Sequence, residues 1–144
     1  MIGKEGLELI KRFEGFVPLE YTCAAGKRTI GYGHVLQPGE SWPGGMTQKQ
    51  AEEILEEDIG TAEEVVIRSV EVPLSPHQFD ALVSFVFNVG GRAFRGSTLL
   101  RKLNGGDYAG AAEEFRCWKY INGEVSRGLI RRRAAEEKLF RSAP

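Results

Sequence analysis

Hydrophobic residues recur at helical spacing over most of this chain and at alternate positions over one short stretch near its start. Leu7, Ile10 and Phe13 fall three residues apart, the stripe of a short amphipathic helix over Gly3 to Phe13. Glu14 lies four residues after Ile10 and seven after Leu7, so it continues the stripe and projects from the apolar face. Gly15 then stops the helix.

From Phe16 to Pro38 the residues become β-branched and aromatic, broken by Gly26, Gly31 and Gly33, which predicts a small antiparallel hairpin region. Strict alternation over Thr29 to Val35 puts Thr29, Gly31 and Gly33 on one face and Ile30, Tyr32 and His34 on the other. The Thr29 face is floored by glycine, and glycine in a strand marks either a bulge or close approach by a ligand or another backbone.

After the Pro/Gly-rich loop at Ser41 to Gly45, Thr47-Gln-Lys-Gln50 has capping-box form and opens a long helix, apolar at three/four spacing from Ala51 to about Ser69. Ser75-Pro-His-Gln78 supplies a second capping box with proline at the first helical position. The helix it opens is apolar almost all round, as expected of a buried centre, and ends at Asn88-Val-Gly-Gly91. Shorter helices are predicted for Ser97 to Leu103, for Asp107 to Trp118 with Asp107 as N-cap, and for Gly128 to Phe140. The fold class is α+β, with a small sheet near the N-terminus and an all-helical C-terminal part.

A length of 144 residues with 42% hydrophobic and 27% charged content suits one cooperative globular unit. The net charge of −1 removes overall basicity as an argument for nucleic-acid binding. Charge is nevertheless divided: residues 1 to 89 carry seven Lys/Arg against fourteen Asp/Glu, and residues 90 to 144 carry twelve against six. A solvated helical surface explains this more simply than an anionic polymer partner. The charged start, Met1-Ile-Gly-Lys-Glu-Gly, lacks the apolar stretch of about 7 to 15 residues that a secretory signal needs. No apolar run approaches the roughly 20 residues of a membrane span. Cys23 and Cys117 are too few and too far apart for a disulfide framework or a zinc site, and no phosphate loop or cofactor motif is present.

Chemistry concentrates around Glu14. Desolvation on an apolar face and the negative end of the helix both favour its neutral form, and a carboxylic acid kept protonated near neutral pH serves as a general acid. The alternative is a glutamate at a fraying helix end that reaches back to water. Cys23 and Thr29 flank the predicted loop Ala24-Ala-Gly-Lys-Arg28, which would set them opposite each other on the glycine-floored face.

Glu14, eight residues, Cys23, five residues, Thr29: this spacing resembles the signature of the lysozymes, or endolysins, of tailed bacteriophages, glycoside hydrolase family 24, in which the middle position is Asp or sometimes Cys. Phe13-Glu-Gly-Phe16, Thr29-Ile-Gly-Tyr-Gly-His34, Phe87-Asn-Val-Gly90, Trp118 and Gly128-Leu-Ile-Arg-Arg132 extend the likeness over almost the whole chain. The resemblance implies a single lysozyme-like domain over residues 1–144. Its N-terminal lobe would span about 1–58 and its helical lobe about 59–144, joined by a long helix across a glycan cleft. It implies hydrolysis of the β-1,4 bond between N-acetylmuramic acid and N-acetylglucosamine in peptidoglycan, without metal or cofactor. The expected protein is a monomer without stable membrane insertion that accumulates in the host cytoplasm and reaches the wall after release. Glu14 would be the proton donor, Thr29 a holder of the attacking water, and Cys23 the occupant of the usual Asp position.

The usual inverting scheme uses a second carboxylate as base, and here it is missing. A thiol with an ordinary pKa of about 8.5 is only a few per cent ionised at pH 7, and a neighbouring acid would reduce that fraction. Cys23 could therefore polarise water weakly, attack the sugar, or merely fill space, the first being the expectation. Tyr32 and Asn88 are candidate sugar contacts, by ring stacking and by the amide. Arg127 matches a family position whose arginine pairs with the acid, an interaction that would oppose the neutral form of Glu14. Arg131, Arg132 and Arg133 wrap round the last helix and are expected to be mostly solvated. His34 and His77 are read as structural, and Cys117 as packing in the helical lobe. Two other functions fit parts of the pattern: a non-catalytic wall-binding module descended from a lysozyme, and a wall amidase or peptidase using Cys23 with a histidine.

Overall fold

The computed structural model describes residues 1–142, and its architecture is α+β as expected. Helix α1 (Lys4–Glu14) leads into β1 (Val17–Thr22), β2 (Arg28–Gly31) and β3 (His34–Val35), an antiparallel sheet in the order β1-β2-β3. The 22-residue α2 (Gln48–Ser69) crosses to α3 (Pro76–Val89), α4 (Gly91–Arg95), α5 (Thr98–Asn104) and α6 (Tyr108–Glu114). A 3-10 turn (Phe115–Cys117), the hairpin β4 (Tyr120–Ile121) and β5 (Glu124–Val125), and α7 (Arg127–Arg141) complete the chain.

Both predicted capping boxes form, at Thr47 with Gln50 and at Ser75 with Gln78, and the side chain of Asp107 caps α6. The predicted long helix ends at Ser69 as its apolar spacing indicates. Helix α3 is the structural centre: Ala81 to Val86 are all buried, and α1, α2 and α7 pack around it. The lobe boundary expected near residue 58 lies inside α2, while α1 packs on α3.

Two local expectations fail. The stretch from Thr29 to Val35 is not one strand: β2 ends at Gly31, and the chain turns through Tyr32 and Gly33 to pair Ile30 with His34. Gly33 sits in that turn with φ of 72°, a backbone conformation that disfavours side chains. The C-terminal part is not all helix, because Tyr120–Ile121 and Glu124–Val125 form a hairpin around Asn122 (φ 50°) and Gly123 (φ 82°). Asn-Gly is the residue pair that favours such a tight turn, since both positions take positive φ.

Candidate active site

Glu14 is the last residue of α1, and its side chain is only 17% exposed. It lies where two hollows meet. One, of about 690 Å³, is lined by Cys23, Thr29 and Gly33 on the sheet side and by Asn88, Trp118 and Tyr120 opposite. The other, of about 740 Å³, runs past Phe13, Ser126 and Arg131. Glu14, Asn88, Ile121 and Leu129 line both. Gly33 makes room for the acid: a Cβ there would stand 2.2 Å from Glu14 Oε1. The glycine floor expected beneath the site is therefore real at this position, although the residue belongs to a turn.

The other carboxylate oxygen, Oε2, accepts a hydrogen bond of 2.5 Å from Arg132 Nη1. The expected partner, Arg127, is exposed at the first turn of α7, and its place is taken by Arg132, five residues later. The arginine run is also not a solvated face, for Arg132 and Arg133 are buried at 3% and 1% exposure. Glu136 makes this possible. Its carboxylate meets Arg132 Nε at 3.2 Å and Arg133 Nε at 2.8 Å, and accepts a 2.6 Å bond from Ser84 Oγ. Arg132 Nη2 donates to the Ser84 carbonyl, and Arg133 lies 5.0 Å above the Phe85 ring. Arg133 Nη2 reaches Asn88 Oδ1 at 2.8 Å, which leaves the amide nitrogen of Asn88 for the cavity.

On the sheet side Cys23 and Thr29 line the same cavity, though not as a directly opposed pair. Thr29 stands opposite Tyr21, and the Cys23 amide donates to the Lys27 carbonyl at 2.9 Å. Residues 21 and 23 share a strand face, so Cys23 meets Thr29 on the diagonal. Burial pushes the Cys23 thiol up, but the backbone at Lys27 and Ala25, the Thr29 hydroxyl and the Lys27 ammonium outweigh it, and the net shift is downward. Acidic neighbours do not suppress the thiolate as the sequence suggested. Thr29 Oγ1 lies 2.9 Å from the Lys27 carbonyl, to which it donates its one hydrogen while Cys23 is a thiol, and its lone pairs then face an incoming donor.

Tyr32 is not placed to stack on a sugar. It is 7% exposed and packs on Phe16, and its hydroxyl accepts from Gln48 Nε2. Tyr21 and Phe87 together with Trp118 and Tyr120 supply the aromatic surface of the cavity instead. Cys117, expected to be packed away, is exposed on the wall of the same cavity. His34 is structural as expected, with Nδ1 2.8 Å from Asp58 and Nε2 3.0 Å from Glu40. His77 bonds Ser142 Oγ at 2.7 Å. Residues 120–122 were missed as site residues, although Asn122-Gly123 announces their hairpin in the sequence.

A sequence-family profile described as phage lysozyme matches residues 11–136. The chain is similar to the endolysin of Acyrthosiphon pisum secondary endosymbiont phage 1, 47% identical over 99% of each chain. Among solved structures it is similar to the muramidase domain of SpmX from Asticaccaulis excentricus, with a TM-score of 0.88 and 39% identity over 99% of each chain. A variant of P22 lysozyme superposes with a TM-score of 0.83 and 36% identity, again over 99% of each chain.

Proposed function

Because the chain belongs to the phage lysozyme family, we propose that Glu14 delivers the proton that opens the glycosidic bond of its substrate. The protein is a peptidoglycan hydrolase of the muramidase type, a glycoside hydrolase with an endolysin's role in host lysis. We assign it more finely to glycoside hydrolase family 24, with Cys23 at the position of the usual aspartate and the bond between N-acetylmuramic acid and N-acetylglucosamine as its target.

One observation carries the assignment: Glu14 stands at the junction of two hollows, a guanidinium on one oxygen and the side-chain-free Gly33 beside the other. A glycan laid through both hollows brings its bridging oxygen to the carboxyl. Glu14 protonates that oxygen, and Arg132 stabilises the carboxylate left behind. Water attacks the anomeric carbon from the sheet side, held by the Thr29 lone pairs. Its proton passes to the Cys23 sulfur, whose lowered pKa suits a base better than an ordinary thiol. Asn88 donates its amide to a sugar carbonyl or hydroxyl, and Trp118 and Tyr120 take over the stacking expected of Tyr32. Arg132 takes the acid-positioning part expected of Arg127.

The amidase alternative needs a histidine beside Cys23. Neither His34 nor His77 lines its cavity, and His34 is held by Asp58 and Glu40. This reading treats the protein as one lysozyme-like unit, monomeric and held in the host cytoplasm without stable membrane insertion until it reaches the wall. Among the described residues no helix is long and apolar enough to cross a membrane. Digestion of purified peptidoglycan tests the chemistry: new reducing sugar ends are expected, whereas new amino groups alone would indicate an amidase and no product a binding module. Fractionation of host cells before lysis, with a sedimentation mass, tests the remainder.

A further inference from the structure

The site has a support that the reaction scheme does not use. Glu136, fully buried on α7, contacts both Arg132 and Arg133 of the same helix, which line the second and the first hollow respectively. We propose that Glu136 is a positioning residue: acting through Arg132 and Arg133, it fixes Glu14 and Asn88 in the arrangement the reaction needs. The inference rests on the reading of Glu14 as proton donor.

Helical spacing explains how one carboxylate serves two arginines. Arg132 and Arg133 stand four and three residues before Glu136, so both fall on its side of α7. From Glu136, one arm runs through Arg132 to Glu14 Oε2, and the other through Arg133 to Asn88 Oδ1. Ser84 Oγ, donating at 2.6 Å from α3, anchors the carboxylate from behind. The two guanidinium groups are balanced by two carboxylates when Glu14 is ionised, and by Glu136 alone when Glu14 carries the proton it is to deliver, so removing Glu136 leaves both buried cations without a fixed partner in the reactive state.

A purely stabilising role accounts poorly for this cluster. Buried ion pairs are weak contributors to stability compared with well-packed apolar residues of similar volume. Here Arg133 Nε, Arg133 Nη1 and Glu136 Oε1 have no hydrogen-bond partner among the described residues, and the 2.8 Å approach of Arg133 Nε to Glu136 Oε1 is an ion contact without hydrogen-bond alignment. Incomplete satisfaction raises the cost of burying these groups. What the cluster supplies is fixed direction: Arg132 is held by the Ser84 carbonyl and Glu136 at once, so its Nη1 has one position to offer Glu14.

The test measures reducing ends released from purified peptidoglycan by the full chain, well below the melting temperature of each variant. Glu136→Gln keeps the size of the side chain and removes its charge; kcat is expected to fall at least about tenfold, with Glu136→Asp recovering part of it. Added to Arg132→Met, Glu136→Gln should lower kcat by a smaller factor than it does alone, because the arm to Glu14 is already gone and only the arm through Arg133 to Asn88 remains to be lost. Ser84→Ala removes only the rear anchor and should lower kcat by a smaller, measurable factor. Unchanged kcat in folded Glu136→Gln, or losses that simply multiply with Arg132→Met, would overturn the proposal. If Glu136→Gln fails to fold, Ser84→Ala decides, and unchanged kcat there overturns it. Glu14→Gln separates the two ideas: full activity removes the proton-donor reading and this inference together, whereas an inactive Glu14→Gln beside a fully active Glu136→Gln removes this inference alone.

Discussion

The two walls of the cavity are built on opposite principles. The sheet wall is local and thin: Cys23 and Thr29 sit nine and fifteen residues after Glu14, and apart from each other the groups that act on them belong to the loop between them, mostly its backbone together with the Lys27 ammonium. The helical wall is long-range and charged, with Arg132 reaching Glu14 across 118 positions of sequence and Glu136 and Ser84 buried behind it. A wall of backbone groups can tolerate a changed side chain, because the loop amides and carbonyls remain whatever residue stands at 23. A wall of buried ions cannot, because each charge removed leaves another uncompensated.

This contrast orders the consequences of substitution. Arg132→Ala should have the largest effect on stability, since it strands part of the buried Glu136 charge and removes the support of Glu14. A loss of about 3–5 kcal/mol is expected for breaking a buried pair, together with a steep fall in lysis, read by denaturant melts and peptidoglycan clearing. Arg127→Ala, on an exposed residue of the same helix, should stay within about 0.5 kcal/mol of the parent. Equal effects of the two would erase the distinction between the walls.

Substitutions on the sheet wall should be milder and affect rate more than fold. Cys23→Ala should lower activity, and Cys23→Asp, which restores a carboxylate base, should retain or increase it. Complete alkylation of Cys23 should reduce lysis, checked in Cys117→Ser so that the more exposed thiol of Cys117 does not confuse the reading. Undiminished clearing after alkylation would leave the sheet wall with Thr29 alone.

The smallest effect is a pH dependence away from the cavity walls. Burial alone would push the His34 pKa down, but its hydrogen bond and charge contact with Asp58 and the charge of Glu40 raise it overall. A histidine raised in the folded state contributes its full stability below the unfolded value of about 6.5 and loses it as pH rises through the folded value. Melting temperature should therefore decline over that window in the parent and less in His34→Asn. The acid side is limited by Glu40, whose carboxylate is lowered by the Gln37 amide, Trp42 and His34. Its contribution is present above the ordinary carboxylate range and fades as pH falls through the lowered value. A His34→Asn profile parallel to that of the parent would show that the contacts with Asp58 and Glu40 carry no linkage.

What could be read in the sequence follows the same division. Caps at Thr47, Ser75 and Asp107 depend on residues three positions apart, and α1 with Glu14 on its inner face follows from the three apolar positions Leu7, Ile10 and Phe13, so local pattern suffices for both. Alternation sets Tyr32 on the face away from Thr29, and there it lies buried, so it was its assignment as a sugar contact that failed; what alternation does not show is the turn at Gly33, whose positive φ ends the strand. The hairpin at 120–125 has strands of only two residues, too short for periodicity, and Asn122-Gly123 was its one local mark. The choice of Arg132 over Arg127 was not legible from periodicity, since three successive arginines point about 100° apart round a helix, and two of them turn inward to meet Glu136 together with Glu14 and Asn88. A partner at the third and fourth positions ahead was the available clue.

Reducing-end release by Glu14→Gln on purified peptidoglycan tests the central claim most directly. The account predicts a protein still folded at the assay temperature that has lost about 10²–10⁴-fold in rate, the contribution of a positioned general acid. Release at the parental rate would contradict it and leave the junction of the two hollows without its chemistry.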